Sequence, residues 1–246
     1  MNSRVCLLFG FVSCLAIAVG RANAETNSSS DPDKDGQLTK LLEEGRTLID
    51  SRKPQAAIEL CEKVIAAFKT HYAKSDHVIY CARTQTENLG YLLMAAAAIN
   101  KGTFEKGKRD AIVLSQTWSA AYFMKGYALQ ELGRRAEARA AVNEALKLSP
   151  WNAQYLAELG TIYSLEKNWT KAREVFEKAE EHAEISPDNA KASELARARR
   201  GLGYVLVELG QLDEAEKKYQ QCLKDDPKDT KAAAELEYVR GLKAKR

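Results

Sequence analysis

The chain has 246 residues, 45% of them hydrophobic and 29% charged, with five prolines and a formal net charge of +3. This is the balance of a soluble globular chain with enough apolar material for a sizeable core, rich in residues that favour helix. Near-neutrality argues against nucleic acid or an anionic membrane as partner, and three histidines leave little for metal chemistry.

Residues 1–24 read as a secretory signal. Arg4 gives a positive start, an apolar stretch runs from Val5 to Val19, and Ala22-Asn23-Ala24 forms a small-x-small cleavage pattern before Glu25. The apolar run is short for a membrane span and is interrupted by Gly10. An uncleaved N-terminal anchor is the alternative. Cleavage removes Arg4 and Arg21 and no acidic residue, so the mature net charge is +1 and no membrane span remains.

Residues 25–37 read as a disordered acidic and polar linker. Within it, Asp31, Asp33 and Asp35 resemble the start of an EF-hand calcium loop, with Leu38 at the usual apolar place. The closing glutamate is missing, because Leu42 stands there and Glu43 falls one residue late. The competing reading is an acidic segment that favours the N-terminus of the first helix.

From Leu38 onward the helical pattern hardly stops. Turn signals punctuate it at Arg52-Lys53-Pro54, Asn100-Lys101-Gly102, Gly133, Ser149-Pro150, Lys167-Asn168, Ser186-Pro187-Asp188, Gly210 and Asp226-Pro227. No stretch shows convincing strand alternation, so the expectation is a row of helical hairpins. Repeats are explicit: Gly126 and Gly160, Ala138 and Ala172, and Ala145 and Ala179 are each 34 residues apart. The next copy keeps the pattern at an offset of 43 (Gly203, Ala215, Cys222), which places an insertion near Glu184–Ala192. The matching second-helix site holds Val142, Phe176 and Tyr219. Asp213 with Glu216, and Thr170, are the expected helix caps, and Thr230–Lys245 reads as a terminal helix that buries Ala232, Leu236 and Val239.

These residues resemble the tetratricopeptide-repeat family. Tyr122, Gly126, Leu129, Gly133, Ala138, Val142, Ala145 and Pro150 fit one copy, and Leu159-Gly160-Thr161-Ile162-Tyr163 matches the family's Leu-Gly-x-x-Tyr signature. Leu202-Gly203, Leu206, Gly210, Ala215, Tyr219 and Pro227 fit another. Repeats are expected at about 38–71, 88–118 (irregular), 119–152, 153–186 and 196–229, followed by a capping helix and basic tail over 230–246. The resemblance implies an all-α, right-handed α-solenoid of about five hairpins. It implies a scaffold that holds a protein or peptide on a concave surface lined by first helices. On that surface the candidates are Phe123, Met124, Tyr127, Glu131, Gln154, Glu158, Thr161, Arg200, Tyr204 and Glu208, aromatics mixed with charges as peptide recognition requires. The alternative for Phe123 and Tyr204 is packing between repeats. The family's two-carboxylate clamp does not carry over, since its places hold Leu42, Arg46, Leu93, Ala120 and Met124.

Export permits a disulfide between Cys61 and Cys81, the latter expected on a helix, with two separately packed thiols as the alternative. Cys222 reads as a buried thiol. Arg197, Arg199 and Arg200 form a basic cluster, by default a solvated helix face. No nucleophile motif, phosphate loop or dinucleotide fingerprint is present, so neither an enzyme nor a cofactor is expected. The expected location is a bacterial periplasm, and a self-assembling envelope oligomer is the rival to the scaffold.

Overall fold

The computed structural model describes residues 32–34 and 36–245. The expected secretory signal, Asp31, Asp35 and most of the expected linker lie outside the described residues. Helices dominate: α1 (Gln37–Asp50), α2 (Pro54–His71), α3 (Gln85–Asn100), α4 (Thr117–Glu131), α5 (Arg135–Leu148), α6 (Ala153–Leu165), α7 (Trp169–His182), α8 (Asp188–Glu208), α9 (Leu212–Asp225) and α10 (Thr230–Lys243). The helical-repeat class expected from the sequence is the observed one. The described residues divide into two compact units, with the boundary between Leu159 and Gly160 inside α6.

One stop signal recurs along the chain. Arg52, Gly133, Lys167 and Gly210 all take left-handed backbone angles, with φ of 60, 73, 58 and 74°. At each, the next residue's N–H reaches back five residues: Lys53 to Leu48 O, Arg134 to Leu129 O, Asn168 to Tyr163 O and Gln211 to Leu206 O. This pairing satisfies carbonyls that a helix end leaves open. Two of the four positions carry the glycine that the conformation favours, and two carry a long basic side chain.

In the unit ending at Leu159, α1 packs on α2, α2 on α4, and α4 on α5. Gly126 sets the closest approach of α4 and α5: a methyl group there would lie 2.7 Å from Val142 Cγ2. Trp118 is stacked between Phe68 (centroids 5.4 Å apart) and Tyr72 (5.9 Å). Asp33 opens the unit by capping α1. Its Oδ1 accepts from the N–H groups of Leu38 (2.7 Å) and Thr39 (3.1 Å), and its Oδ2 accepts from the hydroxyls of Thr39 and Thr117. Of the two readings of this acidic segment, the helix-starting one describes Asp33.

A departure from the expected hairpin row lies between α2 and α4. Residues 77–115 do not form a helical hairpin. They form two parallel strands, β1 (His77–Ala82) and β2 (Asp110–Ser115), joined through α3, with His77 opposite Asp110 and Ala82 opposite Ser115. Cys81 therefore sits on a strand, not on a helix. The apolar runs Val78–Tyr80 and Ile112–Leu114 are too short to show a helical period, and parallel partners need a long crossover. The turn between α5 and α6 fastens this module. Ser149 Oγ donates to Cys81 O at 2.7 Å, the Trp151 N–H donates to Tyr91 Oη at 3.4 Å, and the Trp151 ring covers Gly90. Below it, Arg83 and Glu87 form a buried pair, with Nη2 to Oε1 at 2.7 Å, Nε to Oε1 at 3.0 Å and the Arg83 N–H to Oε2 at 2.7 Å.

In the unit beginning at Gly160, α7 packs on α8, α8 on α9, and α9 on α10. Phe176 is held between two glycines: a methyl group at Gly160 would lie 2.8 Å from its ring, and one at Gly201 would lie closer still. Gly203 approaches Tyr219 in the same way, at 2.7 Å. The insertion near 184–192 forms a short 3₁₀ turn, Ala183–Ile185, and the first residues of a lengthened α8. Ala232, Leu236 and Val239 of α10 are buried, as expected. Two cap assignments change. Asn168, not Thr170, starts α7 by accepting from the Lys171 N–H (3.3 Å). Asp213 lies inside the first turn of α9, and the residue before that helix, Gln211, makes no side-chain cap.

Candidate partner-binding faces

The first helix of each hairpin buries one side against its second helix, and the remaining side decides what is open to a partner. On α4 this removes two candidates. Phe123 and Met124 are each 4% exposed. The Phe123 ring stacks on Tyr155 with centroids 4.6 Å apart, and the Met124 sulfur lies against Gly45 of α1. Both belong to the core because α1 and α2 cover a side of α4 that a single hairpin would leave bare. Tyr127 stays partly open, and Glu131 at the end of α4 pairs with Arg52 Nη1 at 3.3 Å.

On the first half of α6, Gln154 is partly open and Glu158 is buried at 2% exposure. The Gln130 amide donates to the Glu158 carboxylate, which explains how a carboxylate sits there. Glu158 is thus a packing residue and not a surface contact.

In the second unit, Thr161 and Tyr204 are partly open and Glu208 is exposed. Tyr204 meets Trp169 edge to face, with centroids 6.1 Å apart. Arg200 is partly buried, and its guanidinium is bound to Asp229, whose other oxygen accepts from the Ala232 N–H (3.0 Å) and so starts α10. Arg200 is therefore a brace for the terminal helix. Its neighbour Arg199 is shared between Glu180 (2.9 Å) and Asp225. The arginine cluster consequently ties α8 to α7, α9 and the start of α10, where the sequence alone had left a solvated face as the default.

Residues 119–150 match one family model described as tetratricopeptide repeat, and residues 151–228 match a second with the same description. The chain carries tetratricopeptide repeats over residues 119–228. A search of curated proteins returns no match. Among solved structures, PilF of Pseudomonas aeruginosa aligns over 86% of this chain and 71% of its own, at 13% identity and a TM-score of 0.57. MamA of Desulfovibrio magneticus RS-1 aligns over 84% of this chain and 85% of its own, at 16% identity and a TM-score of 0.52. At such identities the likeness is one of fold.

Seen as a tetratricopeptide-repeat protein, the chain keeps its chemistry polar and dispersed. In the second unit a cleft of about 290 Å³ is lined by Arg173, Glu177, Glu180, Leu202, Glu214 and Lys218 among others, but these charges are largely paired, Arg173 to Glu177 at 2.7 Å and Lys218 to Glu180 at 2.7 Å. Among the described residues, no group of three or more His, Cys, Asp or Glu side chains is placed to hold a metal ion, and no helix is long and apolar enough to cross a membrane. Cys61, Cys81 and Cys222 are buried thiols in this structure, the arrangement of the separate-thiol alternative. Burial pushes the Cys61 thiol up to about 12 and the Cys222 thiol up to about 11. Neither is a nucleophile at neutral pH.

Proposed function

We propose that this tetratricopeptide-repeat protein is a non-catalytic scaffold that holds a segment of another protein on the open sides of its first helices. The contacts are Tyr127, Glu131 and Gln154 in the unit ending at Leu159. In the unit beginning at Gly160 they are Thr161, Tyr204 and Glu208. The observation that carries this reading is the combination of a matched repeat family over 119–228 with partly open tyrosines on otherwise close-packed helices. Half-buried tyrosines offer large contact area at a low ordering cost, which is what a peptide-binding surface needs. Phe123, Met124, Glu158 and Arg200 have no part in it, since the core or an internal ion pair already occupies them.

The scaffold acts outside the cytoplasm, in this proposal, after removal of residues 1–24. The N-terminal sequence of the mature protein tests that part: a start at Glu25 is expected, and an intact Met1 overturns it. The binding reading is tested by affinity capture from an envelope extract with the immobilised mature chain, beside Tyr127→Ala and Tyr204→Ala variants of unchanged helicity. Retention of a partner by the parent and its loss with either variant is expected. Equal retention by all three removes these faces as the binding site.

A further inference from the structure

The module between α2 and α4 lies outside the matched repeats and has a surface of its own. Six large hydrophobic side chains stand out from the described surface, and α3 carries four of them: Leu89 (60% exposed), Leu93 (60%), Ile99 (43%) and Leu92 (40%). Ala96 and Ala97 are exposed between them. Leu89, Leu93 and Ala96–Ala97 recur every three or four residues and so share one side of the helix. The opposite side is fixed to the protein through Glu87, Tyr91 and Ala95, all buried, with α3 packed against both strands. A firmly seated helix that shows water a stripe of leucines has left an interaction surface open.

We propose that α3 is a self-association surface, on which α3 of a second copy lies antiparallel about a twofold axis near Leu93. Charge comes first. Glu87 is the only charged residue in α3, and it is buried against Arg83. Two identical faces therefore meet without like-charge repulsion, the usual obstacle to an isologous contact. No basic residue lies within α3, which argues against an anionic lipid surface as occupant, since interfacial helices carry several.

Shape comes second. Along the stripe, the bulky residues Leu89 and Leu93 precede the small residues Ala96 and Ala97, while Leu92 and Ile99 stand together on its edge. A twofold axis at Leu93 sets Leu89 of each copy across from Ala97 of the other, so large meets small at both ends. A parallel pair sets Leu89 on Leu89 and leaves a gap at the alanines. Leu93 lies near the middle of the 16-residue helix, so the antiparallel pair overlaps along almost its whole length. Antiparallel helices also oppose their dipoles favourably.

Size comes third. The exposed fractions correspond to roughly 450 Å² per copy, about 900 Å² for the pair, which is the size of a weak, transient contact and makes the dimer reversible and concentration-dependent. This surface is separate from the first-helix faces, so its test leaves the scaffold reading untouched.

The experiment is sedimentation of the mature chain from about 1 μM to about 1 mM, a range in which even weak association registers. A shift from monomer to dimer is expected, with the dissociation constant raised roughly 100-fold or more by Leu89→Glu with Leu93→Glu, because the carboxylates at 93 then face one another and the apolar contact between residue 89 and Ala97 is lost. A Leu93→Cys chain is expected to cross-link to itself on oxidation, whereas Leu132→Cys, at an exposed leucine elsewhere, is not. Circular dichroism confirms that the variants keep their helicity. A monomer throughout the range, or a dimer that the glutamates do not weaken, overturns the proposal. So does a monomer that pellets with phosphatidylglycerol vesicles through the same leucines, which assigns the face to lipid.

Discussion

The ring of Trp151 lies directly on the backbone of Gly90, joining the turn between α5 and α6 to the helix of the strand module. The glycine is required for that approach, since any side chain at residue 90 enters the space of the indole. Gly90→Ala gains about 1 kcal/mol of helix propensity and loses about 1–3 kcal/mol to overpacking, so the net expectation is a loss near 1 kcal/mol. Chemical denaturation of the single variant and of Gly90→Ala in a Trp151→Ala background checks it. With the indole gone, the same change is expected to stabilise.

The Arg83–Glu87 pair supports the same module from below. Their side chains are 8% and 0% exposed, and the carboxylate also accepts the Arg83 N–H, so its removal strands a guanidinium and a backbone donor. Glu87→Ala is expected to cost about 3–5 kcal/mol, the range for breaking a buried pair from one side. Urea unfolding followed by circular dichroism measures it. A loss below 1 kcal/mol contradicts the burial seen here.

Arg52 and Lys167 occupy the left-handed position that Gly133 and Gly210 fill in the sister hairpins. A side chain there costs roughly 1–2 kcal/mol, while glycine adds back about 0.5–1 kcal/mol of unfolded-state freedom. Lys167→Gly is therefore expected to raise stability by about 0.5–1 kcal/mol, read as an increase in melting temperature. Lys167→Val is expected to lower it, because a β-branched residue tolerates that conformation least.

The buried thiols make stability fall in alkali. Cys61 and Cys222 ionise near 12 and 11 when folded, against an ordinary value of 9.0. Above pH 9 the unfolded chain releases protons that the folded chain retains, so their contribution is intact below pH 9 and drains away as pH climbs towards 11 and 12. The slope is ~1.4 kcal/mol per pH unit for each ionising group. Burial raises the phenols of Tyr91, Tyr155 and Tyr219 as well, in the same sense. Cys61→Ser with Cys222→Ser is expected to flatten stability between pH 9 and pH 11, and a thiol reagent at pH 8 is expected to leave both residues untouched until denaturant is added.

The hairpins were legible in the residues. Spacings of 34 located Gly126, Gly160, Val142 and Phe176, and the structure puts each glycine against its large partner. Such contacts join residues close in sequence, so a repeating small-and-large pattern encodes them locally. The turn signals Gly133, Lys167 and Gly210 worked for the same reason, because a left-handed residue stops a helix without help from elsewhere.

Tertiary structure alone decided the rest. β1 and β2 pair across 33 residues, and six apolar residues carry no mark of the distant strand they meet. Phe123 and Met124 look open on α4 until α1 and Tyr155 cover them. Arg200 reads as a surface charge until Asp229 takes it to start α10. In the opposite direction, Leu89 and Leu93 have the character of core residues, yet α3 turns them to water. Sequence fixes which side chains prefer burial, but which of them are covered depends on neighbours that arrive from elsewhere in the chain.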